Sequence, residues 1–138
     1  MSQLSPFLKF NDGKAKEAMN FYKDCLGGEL EFMTVKGSPM ESEFPADKHD
    51  LIMHSTLKKD GWMLIGSDMM QDKATVGDNA GVSVSFTDEA EIKHAFAKLS
   101  ERGQVFMPVE VAFWGDWFGI VTDKFGIEWM LNCPAKKD

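Results

Sequence analysis

Apolar and polar residues alternate with a period of two in several short runs of this chain, and after two of those runs the period becomes helical. In "PFLKFND" and the serine before it, Leu8 and Phe10 point one way while Ser5, Phe7 and Lys9 point the other. The run closes on Phe10-Asn11-Asp12 and leads into "KAKEAMNFYKDCLGG". There Ala15, Ala18, Met19, Tyr22 and Leu26 form one helical stripe, stopped by Gly27-Gly28. Three strands, "ELEFMTV", "DLIMHSTLKK" and "GWMLIGSD", follow, the last two joined by the hairpin turn Lys59-Asp60-Gly61.

The order then recurs. "VSVSFTD" closes on Phe86-Thr87-Asp88, and "DEAEIKHAFAKLSERG" carries the stripe Ile92, Ala95, Phe96 and Leu99, with Asp88 as N-cap and Gly103 as stop. Phe21 and Gly28 are seven positions apart, as are Phe96 and Gly103. "QVFMPVEV", "WFGIVTD" and "GIEWMLN" supply three more strands, the last two joined through Lys124-Phe125-Gly126. The tripeptide Trp-Met-Leu closes both halves, at 62–64 and 129–131. Strand, helix and three strands, written twice, predict an α+β domain of two βαβββ modules. Module one spans about 1–68, the polar connector "MMQDKATVGDNA" about 69–80, and module two about 81–138.

One helix per module leaves one sheet face uncovered, to enclose a concave cavity or to pair with a second subunit. The pleat sends Val82, Val84, Phe86, Ile127, Trp129 and Leu131 toward the helices. It leaves Ser5, Phe7 and Lys9, His54 and Thr56, Gly81, Ser83 and Ser85, and Glu128, Met130 and Asn132 on the open faces. The candidate ligand-binding set is therefore Ser5, Phe7, Lys9, Thr56, Ser83, Met130 and Asn132, with Trp114 nearby. The candidate catalytic pair is His54 and Glu128, sharing the hollow.

Size and charge narrow the classes. A chain of 138 residues suits one core. With 15 basic against 22 acidic residues, a net charge of −7, and basic residues scattered apart from Lys136-Lys137, no nucleic-acid partner is expected. No apolar run approaches the ~20 residues of a membrane helix, and "MSQLSPFLKF" has no export-signal pattern, so no membrane partner is expected. Cys25 and Cys133 are isolated and lack C-x-x-C spacing. They read as packing residues in a reduced, cytoplasmic chain.

The doubled unit resembles the vicinal oxygen chelate superfamily of glyoxalases, extradiol dioxygenases and bleomycin-resistance proteins. Within it, "FYKDCLGGELEF", "IMHSTL" with the following "GSD", and above all "FWGDWFGIVTDKFGIEWMLN" are similar to the PhnB-like family, some of whose members are labelled demethylubiquinone methyltransferase-like. The resemblance covers essentially the whole chain and implies a glyoxalase/bleomycin-resistance type domain with a concave sheet cavity. It also implies one metal ligand on each of four cavity-facing strands in the metal-dependent members, which map to Ser5, His54, Gly81 and Met130. Of these only His54 is a strong donor, so no metal and no other cofactor is expected. The alternative is a divalent ion on a displaced site using His54 and Glu128. Methyl transfer is not expected, because "CLGGELE" follows a helix and precedes a strand, the reverse of a nucleotide-type cradle.

Each candidate has a plainer reading. His54 is a general acid–base or a strand histidine bonded to a neighbour. Glu128 is a base, or the partner of Lys9 or His54. Phe113, Trp114 and Trp117 around Gly115 form a cavity rim, or cap the fold or a dimer contact. Residues 36–49 form a lid or a mobile polar loop; His49 within it and His94 on the second helix read as solvated. The expected function is small-molecule binding in a homodimer. A metal-dependent lyase, isomerase or dioxygenase and a sequestering module are the alternatives.

Overall fold

The computed structural model describes residues 2–135, so the Lys136-Lys137 tail lies outside the described residues. The chain forms two compact units that divide between Thr75 and Val76. The first contains β1 (Phe7–Phe10), α1 (Ala15–Leu26), β2 (Glu29–Thr34), β3 (Ile52–Lys59) and β4 (Trp62–Asp68), with 3-10 turns at Glu41–Glu43 and Ala46–Lys48. The second contains β5 (Gly81–Ser85), α2 (Glu89–Leu99), β6 (Gln104–Val111), β7 (Trp117–Thr122) and β8 (Glu128–Cys133). The fold is α+β, and the strand-helix-three-strand order occurs twice. Ser5, read as part of the first strand, precedes β1 by two residues.

Each unit is one four-stranded mixed sheet, ordered β1-β4-β3-β2 in the first and β5-β8-β7-β6 in the second. The first and last strands of each unit pair in parallel and the rest are antiparallel. The helix bridges the first strand and the edge strand, covering one sheet face. α1 buries the five expected stripe residues together with Phe21 and Cys25, and α2 buries its expected four. Glycines seat both helices closely. A Cβ on Gly66 would lie 2.6 Å from Met19 Sδ, and one on Gly119 would lie 2.8 Å from Phe96 Cε2.

The helix starts are built differently. Asp88 caps α2 as expected, its carboxylate accepting from Ala90 N at 3.2 Å. α1 has no cap from Lys14. Instead buried Asp68, at the end of β4, accepts from Ala15 N and from Ile52 N, both at 2.8 Å. The end of α2 corrects the expectation for Gly103. Arg102 takes the left-handed conformation, with φ of 56°, and Gly103 is needed because a Cβ there would meet the Thr122 carbonyl oxygen.

The matching Trp-Met-Leu tripeptides do not superpose. Leu8 pairs with Gly66 and Val84 with Leu131, so with Phe10 and Phe86 aligned the counterpart of Leu131 is Gly66 rather than Leu64. The offset is two residues, one pleat repeat, which leaves the inward and outward sets unchanged. It also makes Met63 the counterpart of Glu128, and Asp68 that of Cys133.

Both cysteines are buried, and neither forms a disulfide among the described residues. Burial pushes the Cys133 thiol up, and the nearby charges of Asp88, Glu89, Asp116 and Glu91 push it the same way. A raised folded value means the neutral thiol's contribution to stability is complete below the ordinary thiol range. It is lost as pH rises through the folded value. Iodoacetamide near pH 8 should therefore label Cys133 only after unfolding. Rapid labelling of the native protein would show that the thiol is accessible.

Candidate functional site

In the first unit the ladder sets the open face in rows. Phe7 of β1 lies beside Ile65 of β4, which faces Thr56 of β3 and then Glu31 of β2. The next row runs from Lys9 to Ser67, and on the same face toward the β2 edge His54 pairs with Met33. Buried Ser55 and Leu57 point toward α1, whereas His54 is exposed and Thr56 half-buried, as the pleat predicted. The His54 side chain makes no hydrogen bond among the described residues. Lys9 is exposed and Phe7 half exposed. Ser5 Oγ is enclosed with no hydrogen-bond partner among the described residues.

In the second unit the rows are complete across four strands. Gly81, Glu128, Thr122 and Gln104 make the first, and Ser83, Met130, Ile120 and Met107 the second. Ser85, Asn132, Phe118 and Glu110 make the third. Trp129 and Leu131 are buried on the helix side, while Glu128, Met130 and Asn132 are half-buried on the open side. The Glu128 carboxylate forms no hydrogen bond or ion pair among the described residues. Gly81 makes room for it, since a Cβ there would sit 3.2 Å from Glu128 Oε1.

The aromatic segment divides by pleat phase. Residues 112–116 are the tip of the β6–β7 hairpin, closed by Ala112 N to Asp116 O at 2.8 Å and Gly115 N to Ala112 O at 2.9 Å. Trp114 packs edge-on against Phe118 at 5.2 Å, which carries it to the end of the open face. Phe113 packs on Trp114 at 4.8 Å yet stays 97% exposed. Trp117 belongs to the other side, where Lys93 of α2 sits 4.5 Å from its ring centre.

The structure corrects the reading of His49 as solvated. His49 is half-buried, and its Nε2 donates to the carbonyls of Phe44 at 2.9 Å and Glu41 at 3.1 Å, acting as a crossbar through residues 36–50. Lys36 N to His49 O and Val35 N to Leu51 O close the loop's stem. His49→Ala should speed amide exchange across Ser38–Leu51 by about tenfold or more while the β3–β4 amides hold their rates. Uniform exchange across both segments would sink that role. His94 is exposed on α2, as expected.

Several open-face residues were missed. Phe118, Ile120, Thr122 and Met107 belong to it, with Ile65 and Ser67 in the first unit. The alternation in "WFGIVT" was available, but Gly119 leaves its inward set weakly apolar, and the bulges in β6 break its period. A hollow of about 840 Å³ at the β3–β4 hairpin, beside Gly28, Glu29, Lys58 and Trp62, contains none of the candidate residues.

The donor set does not fit a metal cage. Ser5 offers a hydroxyl, Gly81 no side chain, and Met130 a thioether. Among the described residues, no group of three or more His, Cys, Asp or Glu side chains could hold an ion.

Paired βαβββ units, each with an open sheet face of sulfur, aromatic and sparse polar groups, define the glyoxalase-type class. The model of the Glyoxalase/Bleomycin resistance protein/Dioxygenase superfamily matches residues 5–131, and the chain belongs to that superfamily. It is 31% identical to Protein YjdN of Escherichia coli K12 over 152 aligned positions, covering 97% of each chain. Protein PA1353 of Pseudomonas aeruginosa has a similar solved structure, with 36% identity and a TM-score of 0.86, covering 99% of this chain and 100% of that one. A PhnB protein of Bacillus cereus, described as a candidate 3-demethylubiquinone-9 3-methyltransferase, is 26% identical with a TM-score of 0.74, covering 96% and 99%. The chain is thus PhnB-like.

Proposed function

We propose that the protein is a metal-free, small-molecule-binding member of its superfamily, working in the cytoplasm as a homodimer. The open sheet faces are its binding surfaces, and any catalysis rests on His54 in the first unit and Glu128 in the second. The observation that carries this reading is that both titratable side chains lie on helix-free faces with no hydrogen-bond or ion-pair partner among the described residues. A group bonded into the fold would be committed to stability, whereas these remain free to meet a ligand.

The methyltransferase description belongs to the Bacillus cereus protein. Here Gly27 and Gly28 both have positive φ and end α1, with Gly27 N bonded to Lys23 O. They serve as a helix stop ahead of an edge strand. No cradle for a nucleotide-type methyl donor follows from that arrangement.

Metabolites that co-purify, identified by mass spectrometry and re-bound in titrations, supply the test. His54→Ala and Glu128→Gln should each weaken binding by about tenfold or more, with little change in unfolding temperature. Unchanged affinity in both variants would defeat the assignment. Stoichiometric Fe, Mn, Zn or Ni in protein prepared without chelator would overturn the metal-free reading.

The dimer rests on edge strand β6, which exposes Val105, Met107 and Val111 and leaves Phe106 75% exposed at a bulge. Light scattering at micromolar concentration should give twice the chain mass, and a monomer would refute it. Among the described residues no helix is long and apolar enough to cross a membrane.

A further inference from the structure

The two open faces differ in charge. That of the first unit is balanced: it carries Lys9 and Lys58 together with Glu31 and Glu29, the last directly opposite Lys58 in the ladder. The second carries Glu128 and Glu110 and no basic residue in any of its three rows. The described basic side chains of that unit lie elsewhere. Lys93 and Lys98 are on α2, Arg102 is in the turn after it, and Lys124 is in the β7–β8 turn. Lys93 is further engaged by Glu89 at 2.8 Å.

Glu128 is therefore a half-buried carboxylate with no counterion among the described residues, on a face that supplies none. Beside it runs the row of Met130, Ile120 and Met107, and beyond that Phe118 with Trp114 packed on it. Rows two residues apart are separated by about 6.8 Å, so the carboxylate and the aromatic end stand about 14 Å apart along the strands. A partly desolvated carboxylate favours a cation over a neutral group, and thioether and aromatic side chains favour flat apolar bodies.

We infer that the open face of the second unit selects a small, flat, aromatic ligand bearing one positive charge, with the cation at Glu128 and the rings across Met130 and Ile120 toward Phe118 and Trp114. This rests on the open faces being binding surfaces, and adds the ligand's charge and shape. It involves no chemical step.

A matched series tests the sign of the charge at constant shape: biphenyl-4-carboxamidine, biphenyl-4-carboxamide and biphenyl-4-carboxylate, titrated into the full chain and followed by calorimetry. The amidine should bind about tenfold or more tighter than the amide, and the carboxylate weakest. Glu128→Gln should reduce the amidine to the level of the amide, while Glu101→Gln, on an exposed turn, should preserve the gap. Trp114→Ala should weaken amidine and amide alike. If Glu128→Gln folds poorly, Ser83→Lys puts a competing cation on the neighbouring strand and should suppress the amidine selectively.

The inference is overturned by tightest binding of the carboxylate, by an amidine-to-amide ratio indifferent to Glu128→Gln or Ser83→Lys, or by no binding of the three up to about 5 mM. Failure here is distinguishable from failure of the proposed function. A co-purified ligand whose binding depends on His54 and Glu128 would uphold that function whatever its charge.

Discussion

Replacing Asp123 with alanine should destabilise the protein by about 3–5 kcal/mol and lower its unfolding midpoint by roughly 10 °C or more. Asp123 is 3% exposed and ends the run of β7 into the turn toward β8. One carboxylate oxygen accepts from Phe125 N at 2.8 Å and Ile127 N at 3.1 Å, and the other from the indole Nε1 of Trp129 at 2.8 Å. Its backbone also exchanges bonds with Ile127 and Gly126, so one residue organises the whole hairpin end. Alanine would strand three donors around a cavity, and each unpaired buried donor costs about 1–3 kcal/mol before water enters.

Asparagine separates the acceptor role from the rest. Asp123→Asn keeps one carbonyl oxygen for the turn amides but aims an NH2 group at the Trp129 indole, donor against donor. It should lose about half of what alanine loses. Unfolding is followed by tryptophan fluorescence, to which Trp129 contributes as one of four tryptophans. An Asp123→Ala midpoint within about 2 °C of the parent would show that water replaces the carboxylate without penalty.

Much of this architecture could be read from residue patterns, and the failures have physical causes. Element order and pleat phase survive because each unit has one covered sheet face, which forces alternation in β1, β5 and β8. His54, Glu128, Met130 and Asn132 fall on the open faces for that reason alone. The Trp-Met-Leu match misled because identical side chains can occupy the same face one pleat repeat apart. Periodicity sees phase but not height along the strand. Asp68 and Asp123 were invisible because their partners are backbone amides and an indole brought close by the fold, and a lone aspartate at a strand end looks like turn chemistry. His49 looked solvated for the same reason: its acceptors are carbonyls within a polar loop, and carbonyls leave no mark on composition.

Gly28→Ala should cost about 3–4 kcal/mol, several times the loss from the same change at Gly37, although both glycines have positive φ. Gly28 has φ of 107°, and a Cβ there would lie 2.6 Å from the Lys58 carbonyl oxygen, 3.2 Å from Lys59 Cβ and 3.3 Å from Leu57 Cδ1. Two of those contacts are with backbone or a Cβ, which cannot rotate away. At Gly37, with φ of 84°, nothing lies within 4 Å of the added atom, so only the conformational strain of about 1 kcal/mol remains. Gly27 is intermediate, because its nearest neighbour is the flexible end of Lys59 at 3.1 Å. That ammonium is engaged in turn, donating to Leu26 O at 3.0 Å at the C-terminus of α1. Displacing it would loosen the junction at which α1 turns into β2 beside the end of β3. Equal losses at positions 28 and 37 in chemical denaturation would mean that backbone conformation alone selects glycine there. A graded loss, largest at 28 and smallest at 37, would trace the selection to the close approach of β3.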